Sequence, residues 1–121
     1  MSILVLLALS LAGGVGAATR YLVDELIRSR LSTAFPWATF LINLTGSFAL
    51  GILLSAGFDP LWGKVVGTGF LGGYTTLSTA SYDVVRLLMS RRPALAAVYA
   101  LGGATVIVLA AVGGILIGQT L

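Results

Sequence analysis

The stretch Val65–Tyr82, VVGTGFLGGYTTLSTASY, decides how this chain is read. It is long and apolar enough to enter a bilayer, yet its middle, Gly72-Gly73-Tyr74-Thr75-Thr76, is poor material for a straight helix. Two adjacent glycines loosen the backbone, and two threonines compete for its hydrogen bonds. In hydrocarbon, backbone groups freed by a break are costly unless protein, ion or water satisfies them. Broken helices therefore tend to lie where ions or substrates are handled. The competing reading is a continuous, glycine-rich packing helix.

The composition around this stretch is that of a membrane protein. The chain has 121 residues, 58% hydrophobic and only 9% charged, with a mean hydropathy of +1.05. Soluble domains carry about 25% charged residues. The length suits a single domain spanning residues 1–121. There is no cysteine and no histidine, which removes disulfides, thiolate metal sites and the usual general base. No nucleophile–base pair of the common kinds can be assembled, so an enzyme is not expected. The net charge of +3 is too small and scattered for a nucleic-acid surface.

Four apolar segments emerge, at about residues 3–23, 34–57, 61–82 and 93–119, each near the roughly 20 residues a spanning helix needs. The first has no positively charged leader and too long an apolar run for a signal peptide. Asp24–Ser32 can continue the first helix into the interface, Phe58-Asp59-Pro60 is a tight turn, and Pro93 is suited to start the fourth helix. The expected fold is all-α, with four transmembrane helices and the third broken at Gly72–Thr76. Small residues recur at four-residue spacing in Ala12/Gly16, Ser47/Gly51, Gly63/Gly67, Gly69/Gly73 and Gly114/Gly118. Such pairs let helices approach closely in lipid, and four short helices bury little alone, so a two-fold dimer is expected.

Four spans place both termini on one side with Lys64. The other side carries Arg28, Arg30, Arg86, Arg91 and Arg92, with Arg20 at the end of helix one, a bias of six to one. The positive-inside rule makes the arginine side cytoplasmic and both termini external in a cell membrane. A chain inserting both ways would carry a balanced count, so this one is committed to a single orientation.

Polar residues within spans are functional candidates. The Asn43 amide can donate to an anion, its carbonyl can serve a cation, or the side chain can simply bond a neighbouring helix. Arg20 either snorkels to the interface or lends positive potential to an anion vestibule. Ser78, Thr79 and Ser81 offer hydroxyls along a helix face or bond back to their own helix. No carboxylate is expected inside a span, because Asp24, Glu25, Asp59 and Asp83 fall at ends or turns. This disfavours a proton-coupled exporter of small solutes, which needs a buried acid.

Three segments carry a resemblance. They are Gly13-Gly14-Val15-Gly16-Ala17-Ala18-Thr19-Arg20-Tyr21, Asn43-Leu44-Thr45-Gly46-Ser47-Phe48 with Gly51, and Gly69-Phe70-Leu71-Gly72-Gly73-Tyr74-Thr75-Thr76-Leu77-Ser78-Thr79. In order and spacing they resemble the small fluoride channels called Fluc or CrcB, and the length and helix count match over the whole chain. The resemblance implies an antiparallel dimer with two fluoride pathways along the subunit interface, letting fluoride leave the cell passively. It also implies a structural, untransported sodium ion at the dimer centre, held by backbone carbonyls of Gly72 and Thr75. Asn43 would match the pore asparagine and Arg20 the helix-one arginine, with Ser78 and Thr79 beside the anion pathway.

The departures matter too. Two family phenylalanines after the break, whose electropositive ring edges face the anion, are here Leu77 and Ala80. The hydroxyl series after a tyrosine in helix four is reduced to Tyr99 followed by Gly103 and Ile107, with Thr105 off register. Incomplete pore residues and a fixed orientation together suggest one half of a heterodimeric channel, completed by an oppositely oriented paralogue, in preference to a homodimer. The alternative is a non-conducting structural or regulatory subunit.

Overall fold

The computed structural model describes residues 2–121, and among these every regular element is helical. Helix α1 is Ile3–Arg30 and α2 is Trp37–Ser55. Helix α3 covers residues 60–74, as a first turn Pro60–Trp62, a π-helical stretch Gly63–Leu71 and a last turn Gly72–Tyr74. Helix α4 is Leu77–Met89. Helix α5 is Pro93–Gly118, with a π-helical stretch at Val98–Gly102. Helices α1, α2 and α5 are long and apolar enough to cross a membrane.

Helix α1 does not stop at Val23 but runs to Arg30. Arg28 Nε donates to both carboxylate oxygens of Asp24 at 3.0 Å, one turn back, and such pairs support a helix. Arg28 and Arg30 in the last turn also suit the negative end of the helix dipole. At about 1.5 Å per residue the 28 residues reach about 42 Å. That exceeds a hydrocarbon core of about 30 Å, so the arginine-bearing end stands clear of it. Helix α2 starts only at Trp37, because Pro36 cannot donate and holds a non-helical backbone.

The chain between residues 60 and 89 is not one straight helix. Thr75 and Thr76 are extended, with ψ of 158° and 120°. Gly72 and Gly73 themselves stay helical, so the interruption lies at the two threonines rather than at the glycines. By length, 13 residues for α4 make about 20 Å, and α3 is similarly short.

The spaced small residues are spent inside the subunit. Helix α2 lies along α5, and α1 lies along α3. A Cβ at Gly51 would fall on the Ala111 carbonyl, one at Gly114 on the Phe48 carbonyl, and one at Gly118 on Ser55 and Ile52. On the other side, Gly16 meets the Phe70 carbonyl, Gly73 meets the Gly13 carbonyl, and Gly69 sits on Ala12. Backbone-to-backbone contact of this kind needs glycine. Gly63 touches nothing. The glycine spacing that led to the expectation of a dimer is thus accounted for mainly by contacts within one chain.

A buried hydrophobic cluster sits at the arginine-bearing end. Leu87, Ala96 and Tyr99 are buried there, with Phe35, Phe40, Ala80, Val84 and Leu95 against them. Phe35 meets Trp37, Phe40 and Tyr99 at ring centroid distances of 4.6, 5.9 and 5.4 Å. Such an aromatic girdle belongs at the membrane–water boundary. At α4's end Arg91 takes a left-handed φ of 59°. Its N–H donates to the Leu88 carbonyl, and the Arg92 N–H to the Leu87 carbonyl, which caps the helix.

Candidate functional site

The interruption at Thr75 and Thr76 is held open by one side chain. Asn43, half-buried on α2, donates Nδ2 to the Thr76 carbonyl and accepts from the Thr76 N–H, both at 2.8 Å. A primary amide is the side chain that can mirror a peptide in this way, giving and taking one bond each. Of its readings, the interhelical bond is the one present, aimed at the break itself. The remaining Nδ2 hydrogen is not consumed by that pair. Thr76 Oγ1 then accepts from the Thr79 N–H at 3.1 Å and caps α4. Thr79 Oγ1 completes the turn by accepting from the Thr76 hydroxyl at 3.2 Å.

The carbonyl side of the break is less satisfied. The Thr76 N–H, which would close a helical bond on the Gly72 carbonyl, goes to Asn43 instead. The Thr75 carbonyl accepts from Arg20 Nη1 at 3.4 Å, a long bond. Arg20 thus reaches inward to the break rather than snorkelling to the interface. Carbonyl oxygens at the negative end of a helix are donors that a hard cation takes. The Gly72 and Thr75 carbonyls therefore fit a sodium ion in kind, with the Arg20 guanidinium as a positive neighbour.

Beside the break runs a groove of about 490 Å³ between α2, α4 and α5. Asn43 and Ser47 line it from α2, Thr75 and Thr76 from the break, Leu77, Ala80 and Ser81 from α4, and Tyr99, Gly103 and Ile107 from α5. Leu77 is 82% exposed at its rim in the single chain. The two positions without aromatics therefore lie in the same groove as Asn43. Ser78 and Thr105 do not line it: Ser78 is exposed, and the Thr105 hydroxyl donates to Leu101 of its own helix. Ser47, Thr75, Thr76, Ser81 and Tyr99 are the hydroxyl-bearing residues that do, and Thr79 stays outside the lining.

One expectation is overturned. Asp83 does not lie in the connection to α5 but seven residues into α4, and it is 2% exposed. Tyr99 donates its hydroxyl to Asp83 Oδ2 at 3.5 Å, and Arg86 Nη2 stands 3.6 Å from Oδ1. Helix α4 continues through Asp83 because a carboxylate so partnered can be buried within it. A signal existed in the sequence: Ala80, Asp83, Val84 and Leu87 form one helical face. A buried acid is therefore present in the protein, and a proton-coupled exporter is not disfavoured on that score.

Comparison with known proteins shows the family to which the chain is similar. The family described as "CrcB-like protein, Camphor Resistance (CrcB)" matches residues 7–115. The chain is 50% identical over 96 residues to "Fluoride-specific ion channel FluC 1" of Leifsonia xyli subsp. xyli, covering 76% of this chain and 70% of that one. It is 40% identical to "Fluoride-specific ion channel FluC 2" of Cutibacterium acnes over 114 residues, 90% and 93% of the two chains. It is also 40% identical to "Fluoride-specific ion channel FluC 3" of Bifidobacterium longum over 121 residues, 97% and 100% of the two.

Proposed function

The chain belongs to the CrcB-like family, and from that premise we propose that it is a subunit of a fluoride-specific channel in the cell membrane. The observation that carries the reading is the groove that joins Asn43, the break and the Leu77, Ala80 and Ser81 face of α4. Fluoride crosses passively beside this groove, so cytoplasmic fluoride falls towards the external level. The free Nδ2 hydrogen of Asn43 and the hydroxyls of Ser47 and Ser81 offer neutral donors to a partly dehydrated anion, whereas Ser78 and Thr79 stand outside the groove lining. Arg20 adds positive potential without a countercharge at the break.

Residues 60–74 and α4 act together as one interrupted span, the fourth beside α1, α2 and α5. Sodium, when bound, would be held by the Gly72 and Thr75 carbonyls of two subunits and would supply positive charge where two negative helix ends meet. The subunits run antiparallel, with both termini of this chain outside.

Leu77 and Ala80 leave the α4 wall of the groove without an aromatic edge, its rings being Phe40 and Tyr99 from α2 and α5, which supports a heterodimer with an oppositely oriented paralogue that brings the phenylalanines. The numbered names FluC 1, FluC 2 and FluC 3 of the relatives fit organisms that carry more than one such chain. The same missing edge favours the second reading, a non-conducting structural subunit. Fluoride efflux from liposomes decides: flux only when the paralogue is present supports the heterodimer. Strong flux from this chain alone refutes it, and no flux in either case leaves the structural subunit.

A further inference from the structure

The arginine-bearing end holds a second cavity, of about 250 Å³, between the end of α1, the loop 31–36 and α4. Arg28 and Arg86 enter it from different helices, and Ser32, Thr33 and Trp37 complete its polar and aromatic wall. Arg28 spends only Nε on Asp24. Arg86 stands 3.6 Å from Asp83, beyond hydrogen-bond range. The outer guanidinium donors and the Ser32 hydroxyl make no hydrogen bond among the described residues, whereas the Thr33 hydroxyl donates to the Phe35 carbonyl. Two guanidiniums, each paired with one carboxylate but keeping unspent N–H donors, face one cavity, and such donors are the recognition chemistry of a phosphate.

We propose that this cavity binds the phosphate of an anionic phospholipid headgroup. Three features favour a lipid over a free anion. Trp37 starts a spanning helix and lies in the aromatic girdle, so the cavity is at headgroup depth. Leu31 and Trp37, which line it, expose apolar surface where acyl chains run. Five arginines, Arg28, Arg30, Arg86, Arg91 and Arg92, stand against three carboxylates, Asp24, Glu25 and Asp83, at this end. The excess positive charge draws anionic lipid. The inference rests on the membrane-spanning reading of the chain but not on its conducting fluoride.

Trp37 and Trp62 serve as reporters at the two ends. In W62F protein, reconstituted in phosphatidylcholine vesicles, Trp37 emission is quenched by brominated phosphatidylglycerol or by brominated phosphatidylcholine at equal mole fraction. The expected preference for the anionic lipid is at least about fivefold, the factor for one net positive charge at an anionic surface, since this end carries two once the carboxylates are counted. In W37F protein Trp62 should show a preference near one. R28Q/R86Q should bring the Trp37 ratio to one, while R28K/R86K should keep part of the preference, because charge survives though the fork is lost. A native Trp37 ratio near one overturns the proposal, as does a ratio that R28Q/R86Q leaves unmoved. Equal loss in the lysine and glutamine pairs overturns the charge-based account. Reversal by millimolar inorganic phosphate would assign the cavity to a free anion. If neither tryptophan is quenched by either lipid, the membrane reading itself fails. Selective quenching without fluoride flux would instead sink only the channel.

Discussion

Replacing Asn43 by alanine removes both bonds that hold the Thr76 peptide, each 2.8 Å long. No other protein group is placed to take them over: the helix is interrupted, and the neighbouring hydroxyl of Thr76 is committed to the Thr79 N–H. Each orphaned buried group costs about 1–3 kcal/mol, so N43A should destabilise the break by about 2–6 kcal/mol. Water entering the groove would hold the cost towards the lower figure. Hydrogen exchange reads this locally. About 2 kcal/mol corresponds to roughly thirtyfold faster exchange, so the Thr76 amide should lose at least that much protection. Amides in the α2–α5 contact around Gly114 should keep theirs. Fluoride efflux in the presence of the paralogue should fall in parallel, because α4 loses its anchor. Unchanged protection at Thr76 in N43A would refute the reasoning and mean that the break is stable without its clamp.

The neighbouring glycines Gly113 and Gly114 make a paired test of helix contact. Gly113 has open space for a Cβ, whereas Gly114 faces the Phe48 carbonyl. G113A should be neutral or stabilising by up to about 1 kcal/mol, and G114A destabilising by about 1–3 kcal/mol, by denaturation in detergent. At the α4 cap, R91G should stabilise by about 1 kcal/mol, since the left-handed φ of 59° costs arginine what glycine does not pay; the same denaturation experiment reads it. L77F/A80F should give this chain fluoride efflux without a paralogue, because the two rings restore an electropositive edge beside Asn43. No gain of efflux in correctly inserted L77F/A80F protein would mean that more than the two rings is missing.

Much of this protein is legible in its residues taken in order. Long uncharged runs separated by short polar connections dictate membrane helices, because no other element satisfies its own backbone in lipid. The glycines and threonines at 72–76 mark the interruption for a local reason, and three motifs in order suffice to mark the family. What the order of residues left open was decided by contacts between distant segments. The interruption settled on Thr75 and Thr76, not on the glycines, because Asn43, some thirty positions earlier, captures the Thr76 peptide. Gly73 remained helical because it must pass against the Gly13 carbonyl. Arg20 turned inward because the Thr75 carbonyl faced it. Asp83 could be buried within a helix only because Tyr99 and Arg86 were brought beside it. The spaced glycines announced close packing, but not whether the partner was another subunit or another helix of the same chain. Spacing along one helix records which face is small, whereas the identity of the facing backbone is a property of the assembled fold.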